Sequence, residues 1–224
     1  MDQLTYLCLH TIPNFMVLLL QLLVCLNTGY TNHVDPKSEK GQTNAVQLLY
    51  NEFNLKGVID FKLFQQAVSG FYKYTCKKQI LAIADYSRPS DEKRFFILDL
   101  KNKKLLLSTW VAHGKNSGLR TTETFSNKPE SYQSCPGFFK IGKPIVSPKH
   151  GDALLLYGLQ KGINDNALKR EIIIHAADYV GEDFIAKYGR CGRSHGCPAL
   201  PKEVIDEILP VLAEGSLLYI HPSK

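Results

Sequence analysis

Between residues 79 and 220 the sequence is broken into short apolar runs, each bounded by glycine, proline or polar residues. Runs of five to nine residues are too short for buried helices and have the length of strands. Residues 79–85, 95–100, 105–112, 138–146, 153–159, 171–175 and 216–220 form this series. Residues 100–103, Leu-Lys-Asn-Lys, read as a hairpin turn between two of them. Residues 201–212 break the pattern, with Val204, Ile205, Ile208, Leu209 and Leu212 on one helical face and Gly215 as the stop. Residues 113–136 are long, polar and rich in Gly, Ser and Pro, and a loop of that length in a compact domain is usually functional. The expectation is a mainly β domain, a sandwich or partly closed barrel with a few helices.

Helical spacing precedes the strands. Val46, Leu48, Leu49, Tyr50 and Phe53 fit one helix, and Phe61, Phe64, Val68 and Phe71 a second with Asp60 as its N-cap. Further upstream, residues 15–26 are apolar except for Gln21. Twelve residues suit the core of a signal peptide or signal anchor better than a membrane span. Residues 27–41 have the composition of a flexible linker. The expected organisation is therefore a targeting segment (1–26), a linker (27–41), a helical segment (42–75) and a catalytic domain (76–224).

The densest chemistry lies in residues 190–200, RCGRSHGCPAL. Gly192, Gly196 and Pro198 fix a tight loop, and Pro198 restricts Cys197 to extended geometry. A cysteine there offers sulfur beside backbone N–H groups that could stabilise an oxyanion. A nucleophilic thiol needs a base. His175 ends the Ile172-Ile173-Ile174 run, and His195 stands two residues before Cys197.

This ordered set resembles the catalytic domain of the L,D-transpeptidase (YkuD-type) family, in which a strand-end His is followed by a Ser-His-Gly-Cys loop. The resemblance runs over residues 79–221 and is nearest the murein L,D-transpeptidase catalytic domain-like subfamily. The stretches YSRPSDEKRFFILDLKNKKLLLSTWVAHGKNSG (86–118), FSNKPESYQSCPGFF (125–139) and GLQKGINDNALKREIIIHAADYVG (158–181) carry it alongside the Cys loop. It implies an L,D-transpeptidase-like β fold and an extracytoplasmic bacterial enzyme acting on peptidoglycan tetrapeptide stems through a Cys197 thioester. Cys197 is then the nucleophile, His175 the general base and His195 an orienting residue. The N–H groups of Gly196 and Cys197 form the oxyanion hole. A backbone carbonyl near Ala176 or a water orients the base, with Asp178 as an outside candidate. The family pattern places an aliphatic residue and an Arg after the Cys. Here Pro198 and Ala199 follow, so Arg193, Arg190 and Ser194 are the substrate-binding candidates. The acceptor of the acyl group is a second stem amine (transpeptidase) or water (L,D-carboxypeptidase), and a catalytically silent wall-binding module is the remaining alternative.

The formal net charge of +6 favours anionic surroundings such as a cell envelope, and no nucleic-acid-binding signature accompanies it. Cys191, His195 and Cys197 have zinc-ligand chemistry but not zinc-site spacing, so neither metal nor cofactor is expected. In an oxidising compartment Cys135 could pair with Cys191. A monomer is expected, with a membrane tether through the N-terminal segment.

Overall fold

The computed structural model describes residues 39–223. The targeting segment and almost all of the expected linker lie outside the described residues. Helix α1 spans Glu39–Glu52, and a compact unit begins within it at Leu49. Tyr50 enters that unit and donates its hydroxyl proton to the carbonyls of Leu55 and Ile59, at 3.2 and 2.6 Å. Its ring meets the edge of Phe61 at 5.3 Å.

Helix α2, Phe61–Lys73, starts where its capping residue puts it. Asp60 Oδ1 accepts the N–H groups of Lys62 and Leu63 at 2.8 and 3.1 Å, two of the donors that a helix start leaves free. Leu63, Phe64, Ala67, Val68 and Phe71 form its buried stripe. At Gly70 a methyl group would stand 2.0 Å from the Phe138 ring, so the missing side chain lets the helix lie close to that ring.

Eight strands follow: β1 Ile80–Asp85, β2 Phe95–Asp99, β3 Lys104–Thr109, β4 Gly137–Ser147, β5 Gly151–Gly158, β6 Ile173–Ala176, β7 Ala199–Leu200 and β8 Leu217–His221. They make one sheet in the order β3-β2-β1-β8-β4-β5-β6-β7. Pairing is antiparallel except at β1–β8 and β6–β7. The two ends of this sheet approach each other. Beyond β3, the Ala112 N–H donates to the Ala199 carbonyl of β7 at 2.9 Å, an isolated bridge that nearly closes the sheet into a barrel. The hairpin at residues 100–103 forms by an Asp99 carboxylate that accepts the N–H groups of Lys101 and Asn102. β4 carries a bulge between Ile141 and Pro144, a position where a strand tolerates a residue without an N–H.

Helix α4, Lys202–Leu212, buries Ile205, Ile208 and Leu212 in a core shared with Ala82, Phe139, Leu154, Ile174 and Ile220. Its C-terminal carbonyls at Pro210 and Val211 accept from Lys78 Nζ. α2 packs against β1 and β8. These two strands are therefore almost wholly buried and read as continuous apolar runs.

The short helix α3, Glu182–Tyr188, has no counterpart in the sequence reading. It buries no residue, so it leaves no apolar periodicity, and Gly181 and Gly189 bound it. Among the described residues no helix is long and apolar enough to cross a membrane.

Candidate active site

β6 and β7 run parallel, with His175 paired to Ala199. Cys197 lies two residues before Ala199, in the bend that leads into β7, and its side chain packs against the main core cluster. The Ile173 N–H points at the Cys197 sulfur, while the Cys197 thiol donates to the Glu171 carbonyl at 3.6 Å. Glu171 has φ +54°, a left-handed conformation uncommon outside glycine, which turns the chain into β6 just where its carbonyl meets the sulfur.

Burial pushes the half-buried Cys197 thiol above its ordinary value, against the lowering effects of the Ile173 N–H and the nearby Arg170 charge. His175 is buried and shifts the other way. Loss of solvent lowers its pKa to about 4. In the resting site both groups are therefore neutral at pH 7. His175 Nδ1 lies 2.8 Å from the Ala176 carbonyl oxygen. A carbonyl only accepts, so Nδ1 carries the proton and Nε2 keeps its lone pair. The orienting group is the expected backbone carbonyl. Asp178 takes no part, since it is exposed and paired with Lys202.

The Cys loop is stitched from inside. Ser194 Oγ donates to the Cys197 carbonyl at 2.6 Å and accepts the Gly196 N–H at 3.0 Å. The Gly196 N–H is thus committed, and of the two expected oxyanion donors only the Cys197 N–H is unengaged among the described residues. Gly196 has φ +123°, and a methyl group there would sit 2.7 Å from the Gln133 carbonyl oxygen. No other residue fits that position.

Residues 113–136 form a fixed wall rather than a free lid. Ser194 N–H donates to the His113 carbonyl, Lys115 N–H to the Ser194 carbonyl, and Gly114 N–H to Ser134 Oγ. Arg170 holds the far side by donating to the carbonyls of Ser126 and Gln133. His195 is exposed at the rim, its ring 4.6 Å from that of Tyr132, over which Lys115 Nζ stands at 4.0 Å.

The arginines assigned to substrate from the sequence are used by the loop itself. Arg193 donates to the carbonyls of Lys115 and Gly118, and Arg190 to the Cys191 carbonyl. Ser194 is buried in its own turn. The four described cysteines are unpaired. Cys135 and Cys191 lie in separate apolar clusters, with the Cys191 thiol on the Ser90 carbonyl.

Sequence reasoning missed the support beneath this wall. Arg94 is fully buried with no carboxylate against it. Its five N–H directions go to the carbonyls of Val111 (twice) and Arg88, to Thr122 Oγ1 and to His113 Nδ1 at 2.8 Å. Burial and that guanidinium lower the His113 pKa to about 3, so the ring stays a neutral acceptor. Both residues lie in the 86–118 stretch that carries the resemblance, but a buried cation has no sequence period to single it out.

The two neutral histidines make stability depend on pH. Unfolded, each would protonate near 6.5; folded, His113 and His175 resist down to about 3 and about 4. The unfolded state binds more protons in that window. The stabilisation is complete above about pH 6.5 and is lost as pH falls toward those lower values. At pH 5 each group is expected to cost about 2 kcal/mol relative to pH 7, at about 1.4 kcal/mol per pH unit. Urea midpoints at the two pH values check this, and equal midpoints would refute it.

The sequence matches the family model of the L,D-transpeptidase catalytic domain (YkuD_2) over residues 55–221. The match begins well before residue 79 and includes α2. No curated protein sequence matches the chain. Among solved structures, similarity extends to an L,D-transpeptidase from Mycobacterium smegmatis, with 13% identity, TM-score 0.40, and 64% of this chain and 58% of that one covered. The helical cell shape determining protein Pgp2 from Campylobacter jejuni gives 11%, 0.43, and 67% and 49%. An L,D-transpeptidase from Stackebrandtia nassauensis gives 17%, 0.38, and 92% and 89%. The chain thus spans about half the length of the first two. Since the family model covers well over half of the sequence, from the entry to α2 through β8, the chain belongs to the L,D-transpeptidase catalytic domain family.

Proposed function

We propose that the protein is a cysteine acyltransferase acting on peptidoglycan tetrapeptide stems outside the cytoplasm. The observation that carries the reading is the His175 tautomer. Its Nδ1–H is tied to the Ala176 carbonyl, which leaves Nε2 unprotonated, and its strand pairs with β7, the strand that the Cys197 loop enters. Family membership supplies the substrate class.

Cys197 sulfur attacks the carbonyl carbon of the L-centre residue before the terminal D-Ala, and His175 Nε2 takes the thiol proton. The negative oxygen that forms accepts the Cys197 N–H. Collapse breaks the peptide bond, and the departing D-Ala amine takes the proton from His175. A thioester remains on Cys197. An acceptor amine then attacks it, passes its proton to His175, and the thiol is restored. With an amine from a second stem the product is a 3-3 crosslink. With water it is a tripeptide stem.

Because thiol and imidazole start neutral, proton transfer must accompany attack instead of preceding it. His195, Tyr132 and Lys115 line one side of the approach. Lys115, whose Nζ stands over the Tyr132 ring beside His195, is the cation we assign to a substrate carboxylate, with the unused guanidinium donors of Arg190 and Arg193 as further candidates.

The test is incubation of the reduced full chain with tetrapeptide muropeptides, read by mass. Loss of D-Ala with a crosslinked dimer is the expected result. Loss without a dimer assigns the carboxypeptidase reaction. Unchanged muropeptides with a folded, reduced protein would overturn the reading in favour of a silent wall-binding module.

A further inference from the structure

We propose that His150, on the turn between β4 and β5, is a positioning residue for His175. Its imidazole lies against that of His175 and fixes the plane of the ring that the proposed mechanism uses as the base. The inference rests on the reading of His175 as the base. The two ring centroids are 3.8 Å apart and the planes 28° from parallel.

His175 by itself is tethered at one point, the bond from Nδ1 to the Ala176 carbonyl. One hydrogen bond fixes a ring atom but leaves the plane free to swing about it. A second ring laid on its face removes that freedom. The stack is also compatible with the charges present. Burial and the neighbouring Lys149 both favour the neutral form of His150, and the same influences act on His175, so two cations do not oppose each other across the contact.

The turn that delivers His150 is built for the purpose. Ser147 pairs with Gly151 across the hairpin, and Ser147 Oγ accepts the His150 N–H at 3.3 Å. Gly151 has φ +68°, the left-handed residue that closes a three-residue loop over residues 148–150. The hairpin continues into β5, whose Ala153 is paired with His175 itself, so the same strand that borders the base returns the stacking ring to it. Among the described residues the His150 ring makes no hydrogen bond, and the stack is its one specific contact. A histidine held over solvent for no reason would not be expected to lie flat on a buried base.

The experiment compares His150→Ala with His150→Phe in the full chain. Phenylalanine keeps an aromatic face and removes the nitrogens. The first readout is the ring resonances of His175 in isotope-labelled protein without substrate. The alanine variant should shift and broaden them through loss of the neighbouring ring current, and phenylalanine should keep them sharp. The second is D-Ala release from tetrapeptide muropeptides. We expect the alanine variant to lose about tenfold in kcat, the scale of one aromatic contact, with KM changed less than about twofold. Phenylalanine should recover most of that loss. His175 resonances unmoved by the alanine change would overturn the proposal. So would a kcat loss that phenylalanine fails to rescue, or a rise in KM at constant kcat, which would make His150 a substrate contact. If the wild type leaves muropeptides intact, the reaction assigned above fails, and the His175 resonances still decide whether His150 orders that ring.

Discussion

Changing Cys197 to serine is expected to lower D-Ala release by about 10³-fold or more, with the chain still folded. The substitution is nearly isosteric, and the site has no means of activating a hydroxyl. Its base is buried and weak, with a pKa of about 4. Such an imidazole can take a proton from a thiol already attacking carbon, but a serine hydroxyl holds its proton many units more tightly. Nor is a carboxylate available to strengthen the base, because the Nδ1 partner is the Ala176 carbonyl. The measurement is release of D-Ala from a purified tetrapeptide, together with the mass of the acyl-enzyme. A serine variant within tenfold of wild type would mean that Cys197 is not the nucleophile.

His175→Ala is expected to cost at least about 10²-fold, the ordinary size of a general-base contribution. Its pH dependence is the more diagnostic part. In the wild type the proton moves to Nε2 during attack. In the variant only thiol that has ionised by itself can react, and burial makes that rare near neutrality. The residual rate should therefore climb steadily with pH through the range where the thiol ionises. A loss smaller than about fivefold, or a residual rate flat between pH 7 and 9, would remove His175 from the proposed role.

The sequence showed the parts of this site that obey local rules. Glycines and prolines around Cys197 mark a rigid loop because such loops need unusual dihedrals, and Gly196 proves to occupy one. The strand-end position of His175 follows from the apolar run before it, and the parallel β6–β7 pairing then brings it beside the strand that the Cys loop enters. Asp60 as a cap and residues 100–103 as a turn were readable for the same reason. What was not readable depends on pairings between distant segments. His150 sits in an ordinary turn, Ser-Pro-Lys-His-Gly, and only the return of the β4–β5 hairpin lays it on the base. Arg94 reads as one more surface charge in the segment Glu-Lys-Arg, yet it is fully buried. Arg193 and Arg190 suggested substrate contacts because free arginines beside a nucleophile usually do; here backbone carbonyls claim them first. The Gly196 N–H was assigned to the oxyanion on loop position alone, and the Ser194 side chain takes it.

The near closure of the sheet sets where the protein can yield. β7 contains two residues and is held on one side by β6 and on the other by the single bridge from Ala112. No other strand of the sheet is as short or makes as few ladder pairs, so this seam is the cheapest opening in the barrel. Parting it would release Ala199 and, just before it, Cys197, while the α4 core stayed intact. The proposed nucleophile thereby stands two residues before the shortest strand of the sheet. Inactivation by mild denaturant should then run ahead of global unfolding, and amide exchange at Ala112 should report the same early event.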